Sequence, residues 1–143
     1  MVGMAVPERS TTGDVMPHLT VEYSANIEDR AEIAEFCAIM RDAMIETGIF
    51  PLGGIRVRAF PCQTYVIADG AQDYGYLHMI CRVGHGRDES VRAAAAETLY
   101  AAAEAWLTPR MVGRPFALSL DLDELHPVTS LKRFNTVHAA LKG

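Results

Sequence analysis

Cysteine is scarce in this chain: Cys37, Cys62 and Cys81 are three, an odd number, widely spaced and without a Cys-x-x-Cys pair. That excludes a disulfide framework and points to reduced thiols packed in a cytoplasmic protein. Basic charge is not in excess either. Thirteen Lys and Arg against eighteen Asp and Glu leave −5 at pH 7, which argues against a broad nucleic-acid surface. No apolar run approaches the ~20 residues that cross a bilayer, so no membrane partner is expected. Residues 1–15 have neither the apolar core of a signal peptide nor the acid-poor composition of a transit peptide. The five histidines form no His-Glu-x-x-His and no i, i+4 pair, and no cysteine lies at ligand spacing, so no metal site is expected. Gly84-His85-Gly86 lacks the remainder of a phosphate-binding loop, and there is no Gly-x-Ser-x-Gly.

What is present reads as one domain with its own core. Residues 1–16 are polar and turn-rich, a disordered or non-native extension, and the domain proper spans 17–143. His18–Tyr23 alternates, with Leu19, Val21 and Tyr23 on one face: a half-buried strand. Asp29 followed by Glu32 predicts a capping box, opening a helix striped with Ile33, Phe36, Cys37, Met40 and Met44. Gly48 fits a left-handed helix end. Ile55–Phe60 is a second strand, with Arg56 and Arg58 on the face opposite Val57, interrupted at Pro61-Cys62-Gln63. Tyr74–Val83 is a third strand. Asp88 opens a second helix with Val91, Ala95, Leu99, Ala102 and Trp106 inward, stopped by Pro109. Phe116–Asp123 alternates as a fourth strand, and Leu125–Gly143 mixes turn signals with a short helical or extended piece.

The order β-α-β, β-α-β predicts an α/β (α+β) fold in which both helices pack on one face of a mixed four-stranded sheet. Strands joined through a helix run parallel. A single helical layer on a sheet apolar on both faces would leave one face uncovered and predicts an oligomer.

Pro17 follows Met16, and its chemistry depends on where the working chain begins. If Met16 initiates translation and is removed, Pro17 carries a free secondary amine; inside a longer chain its nitrogen is an amide without a basic lone pair. Taken singly, Pro17 reads as a proline at a strand start, Arg56 as a strand-edge charge and Arg87 as a surface residue beside a glycine loop.

Together they fit a pattern. Pro17-His18 with Val21-Glu22, Thr47-Gly48-Ile49-Phe50-Pro51-Leu52 with Gly54-Ile55-Arg56, and Ala68-Asp69-Gly70 stand in one register. Asp73-Tyr74 with His78-Met79, Gly84 with Gly86-Arg87, Glu124-Leu125-His126-Pro127, and Asn135 with Val137-His138 continue it. In these positions the segment Pro17–Lys142 resembles the 5-carboxymethyl-2-hydroxymuconate isomerase family of the tautomerase superfamily. The resemblance implies a tandem β-α-β repeat assembled as a homotrimer and acting without cofactor. It also implies Pro17 as catalytic base and Arg56 and Arg87 as substrate-binding residues. The implied activity is tautomerisation of a small dienol carboxylate to a 2-oxo-3-enoate in aromatic acid (homoprotocatechuate) catabolism. Two other readings stay open at this point: a related tautomerase for another 2-hydroxydienoate or a phenylpyruvate-like enol, and a non-catalytic trimeric binding protein with Pro17 blocked. Phe50, Phe60 and Tyr65, or a neighbouring subunit, are candidates for the apolar walls.

Overall fold

The computed structural model describes residues 17–142, so the expected N-terminal extension lies outside the described residues. Within that range the chain forms β1 (His18–Ser24), α1 (Ile33–Glu46), β2 (Arg56–Cys62), β3 (Gly75–Val83), α2 (Glu89–Leu107), β4 (Phe116–Glu124) and the short α3 (Val137–Lys142). The sheet order is β2-β1-β3-β4. β1 runs parallel to β2, β3 runs parallel to β4, and the two halves meet along an antiparallel β1–β3 seam. The expected mixed four-stranded sheet is therefore present. Its seam brings the start of β1 beside the end of β3, with His18 opposite both Arg56 and Arg82.

Period two sorts each strand into faces. Leu19, Val21 and Tyr23 of β1 and Leu77, Met79, Cys81 and Val83 of β3 are buried. They pack into one cluster with Phe36, Met40 and Met44 from α1 and Leu99, Ala103, Trp106 and Leu107 from α2. Burial pushes the Cys81 thiol up to about 12, so it stays protonated and serves as an apolar side chain. The inward face of α2 is rotated slightly from the expected one, with Ala103 rather than Ala102 fully enclosed and Val91 left exposed.

Three expectations need correction. Asp29 and Glu32 do not form a capping box; Glu32 is itself the N-cap of α1 and makes no side-chain capping bond. Asp29 instead accepts two hydrogen bonds from Arg114, at 2.9 and 2.8 Å, and a charged fork outcompetes a local N–H. Second, Pro61 does not interrupt β2, which continues to Cys62, while Tyr65–Ala68 adds no strand. β2 is an edge strand, where a missing N–H can face outward without loss of a ladder bond. Third, the face away from the helices is not apolar: Glu22, Arg58, Arg82, Asp121 and Asp123 are exposed there. This polar face does not by itself demand a covering partner, contrary to the expectation of an uncovered apolar face.

Candidate active site

Pro17 is fully buried at the mouth of β1. Its carbonyl accepts a 3.2 Å hydrogen bond from the Arg56 backbone N–H, so the first residues of β1 and β2 are fastened side by side. Arg87 lies between the end of β3 and the start of α2. Because β3 runs antiparallel to β1, this loop is at the same end of the sheet as Pro17 and Arg56. The fold therefore collects all three expected site residues at one sheet end.

Both arginines are anchored by backbone carbonyls rather than by acids. Arg87 donates from Nη1 to Gly84 O at 3.2 Å and from Nη2 to Ile49 O at 2.8 Å, and its guanidinium lies 5.5 Å from the centre of the Phe50 ring. Its main chain is braced as well: Arg92 Nε donates to Arg87 O at 3.2 Å. Glu124, a carboxylate whose charge acts on Arg87, is engaged by Arg92 at 3.7 Å and accepts the Gly86 N–H at 3.0 Å. Arg56 donates from Nη1 to Gly54 O at 3.0 Å. Carbonyls orient a guanidinium without neutralising it, so positive charge is retained for an incoming anion. Burial lowers the Arg87 pKa somewhat and Glu124 opposes that, but an arginine remains charged at any working pH.

One short connector holds both forks. Thr47 Oγ1 donates to Met44 O at 2.7 Å and accepts the Ile49 N–H at 3.4 Å, and Gly48 takes φ +74°, which turns the chain off α1. Ile49 and Phe50 then hold Arg87, and Gly54 holds Arg56. The expected left-handed Gly48 is therefore a component of the site as well as a helix end.

Composition and spacing did not single out the rest of the charge here. His18 Nδ1 accepts a hydrogen bond from Arg58 Nη1 at 3.2 Å; arginine can only donate, so the His18 proton resides on Nε2. Burial first, then Arg58, Arg56, Arg82 and Lys132, lower the His18 pKa and keep the ring neutral. Period two places Arg58 on the face of Arg56 as a surface charge, and its bond to His18 gives it a part in this corner. Arg82 and Lys132 reach this corner only through the β1–β3 seam and the C-terminal tail. Of the suggested apolar walls, Phe50 lies against Arg87. Phe60 pairs with Glu22 on the edge strand β2, four residues along from Arg56, and Tyr65 stacks edge-on with Tyr76 at the opposite end, 6.4 Å between centroids. Neither reaches the Pro17 corner within one chain.

A model of the 5-carboxymethyl-2-hydroxymuconate isomerase family matches residues 17–141. The chain belongs to that family. It is 39% identical over 127 residues to 5-carboxymethyl-2-hydroxymuconate Delta-isomerase of Escherichia coli, covering 89% of this chain and 100% of the relative. A crystal structure of a 5-carboxymethyl-2-hydroxymuconate delta-isomerase superposes with a TM-score of 0.83 at 34% identity, covering 90% of this chain and 94% of the other. At the level of fold alone, a fused 4-OT that is a symmetric trimer matches with a TM-score of 0.62 at 17% identity, over 86% of this chain and 98% of the other. The family is one of isomerases, and no helix among the described residues is long and apolar enough to cross a membrane.

Proposed function

We propose that the chain is a cofactor-independent 5-carboxymethyl-2-hydroxymuconate delta-isomerase that works in the cytoplasm as a homotrimer, with Pro17 as base and Arg56 and Arg87 as substrate anchors. The reading is supported most directly by Pro17, Arg56 and Arg87 meeting at one end of the sheet, with both guanidinium groups held by backbone carbonyls, in a chain of this family. The trimer is supported by the symmetric-trimer assembly of the fused 4-OT neighbour.

The chemistry needs one proton taken and one returned. A free Pro17 amine removes the 2-hydroxyl proton of the dienol. The electron pair left behind makes the C2 carbonyl, the double bonds shift, and C5 accepts the proton back from the prolinium. The product is the conjugated 2-oxo-3-enoate, with no net change in protons or electrons. An α-amino group titrates near 8 in water, roughly. A pocket that is buried and carries arginine charge disfavours an ammonium, the direction that would suit a base able both to accept and to donate a proton near neutral pH. One arginine anchors a remote carboxylate. The other binds the 2-oxo acid end and stabilises negative charge growing on the carbonyl oxygen.

This mechanism requires the working protein to begin at Pro17, because an amide nitrogen cannot act as the base. The family match beginning at residue 17 supports that start, and with it a division into an extension (1–16) and a catalytic domain. Intact mass and turnover together test it. Protein beginning at Pro17 converts the dienol to the enone, whereas the chain retaining residues 1–16 does not. Unchanged turnover in Pro17→Ala would rule out the base. A comparison of kcat/KM with other 2-hydroxydienoates and with phenylpyruvate enol separates this isomerase from a related tautomerase.

A further inference from the structure

The C-terminal helix α3 sits against the connector that holds both arginines. Asn135 makes the junction: its Oδ1 accepts the Val137 N–H at 2.8 Å, at the start of α3, while its Nδ2 donates to Gly53 O at 3.3 Å. Two residues into the helix, the His138 ring lies directly on Gly53. A Cβ at Gly53 would fall 2.3 Å from His138 Nδ1 and 2.7 Å from Cε1, well inside van der Waals contact. Nothing but glycine can lie under that ring. His138 Nε2 is out of solvent and has no hydrogen-bond partner among the described residues. A buried polar atom left unpaired costs free energy, so the ring is retained there against its own solvation preference. The residue after Gly53 supplies the carbonyl that holds Arg56, and the Arg56 main chain bonds to Pro17.

We propose that Asn135 and His138 are positioning residues for the isomerase reaction, clamping the Gly53-Gly54 turn so that the Arg56 guanidinium is aimed at the substrate carboxylate. This rests on Arg56 acting as a substrate anchor. The clamp works through backbone alone: His138 fixes Gly53 from above, Asn135 ties its carbonyl, and Gly54 O then holds Arg56 in place. Reactions that depend on oriented groups are sensitive to small displacements, and an ångström of drift can cost on the order of a hundredfold.

The test is a double-mutant cycle on the active protein with the dienol substrate, together with thermal unfolding of each variant. His138→Ala lowers kcat/KM on the order of tenfold, and Asn135→Ala lowers it less, in the same direction. Gly53→Ala expels the ring and reproduces His138→Ala; the double variant Gly53→Ala/His138→Ala is no worse than either. In an Arg56→Ala background the further loss from His138→Ala shrinks to within about twofold, because the group it aims is gone. A purely structural role predicts the same loss in both backgrounds, and that result overturns the clamp. So does an unchanged kcat/KM in His138→Ala when Arg56→Ala is impaired. If Arg56→Ala is itself fully active, the anchor reading and the clamp fall together. Where His138→Ala does not fold, Asn135→Ala and Gly53→Ala carry the same cycle.

Discussion

Arg114 and Arg87 are both largely sequestered arginines, and they are held in opposite ways. Arg114, with 4% of its side chain exposed, donates to both oxygens of Asp29, to Asp73 at 2.6 Å and to the Asn26 carbonyl. Its charge is balanced twice over, and those bonds raise its pKa. Among the described residues, Arg87 and Arg56 meet only carbonyl oxygens and an aromatic face. The first arrangement ties the 3-10 turn Ala25–Asp29 to the start of β4 and leaves nothing over for a ligand. The second leaves a fixed, oriented charge that no carboxylate among the described residues bonds directly. The partner of an arginine, more than its burial, tells which task it performs.

The sharpest way to break this comparison is to remove each guanidinium and read both stability and turnover. Arg56→Ala and Arg87→Ala are each expected to lower kcat/KM by about 10²–10³-fold, the usual range for a lost charge-stabilising donor, with little change in melting temperature. Arg114→Leu is expected to do the reverse, lowering the melting temperature by several degrees while the folded enzyme keeps its kcat/KM. Crossed results would dissolve the distinction.

A backbone test sharpens it. Gly48 precedes the connector that holds Arg87 and Arg56, and Gly113 precedes Arg114; both have positive φ, +74° and +84°, and open space where a Cβ would go. Alanine at either position costs about 1–2 kcal/mol of stability from the left-handed conformation alone. Only Gly48→Ala is expected to raise KM as well. Equal kinetics in the two variants would show that the connector does not aim the arginines.

The acid limb of the stability curve gives a smaller effect. Arg114 lies behind the lowered pKa of Asp29, and Asn26 and then Arg114 behind that of Asp73. Carboxyls that are more acidic when folded contribute stability above their unfolded pKa, near 3.8, and lose it as pH falls toward their folded values. Melting temperature measured from pH 5 to pH 2 is therefore expected to fall more steeply in the parent than in Arg114→Leu. Smallest of all is the His18 titration. Its folded pKa lies below the ordinary 6.5, so folding favours the neutral ring, and the associated stability is present above that value and lost as pH drops below it. Histidine NMR should show His18 titrating below 6.5 and moving upward in Arg58→Ala; an ordinary midpoint unmoved by the substitution would remove the cationic corner from the account.

Much of this was legible in the sequence because it is local. Alternation at His18–Tyr23 and Phe116–Asp123, and the α1 stripe through Phe36, Met40 and Met44, identify their faces directly, since burial follows the backbone period. Pro17, Arg56 and Arg87 came together through resemblance to a family, and topology then accounts for the grouping: two parallel pairs joined by an antiparallel seam put all three at one end. The failures are long-range. Asp29 looks like a cap until Arg114, 85 residues later, takes its carboxylate. Phe60 and Tyr65 have the right chemistry for a wall, but alternation assigns a face and says nothing of which end of a strand meets the site. Asn135 and His138 sit in a tail with little hydrophobic period, and only their contact with Gly53 gives them a role.

The uncompensated guanidinium groups also bear on how the protein is handled at the bench. Oriented forks beside further cations at Arg58, Arg82 and Lys132 do not distinguish a substrate carboxylate from other small oxyanions by charge alone. If Arg56 and Arg87 anchor the substrate as proposed, phosphate, sulfate and citrate are expected to compete with it, which initial rates in each anion at fixed ionic strength check. Kinetics taken in a buffer of bulky zwitterions at fixed ionic strength measure the enzyme; kinetics taken in phosphate measure a displacement.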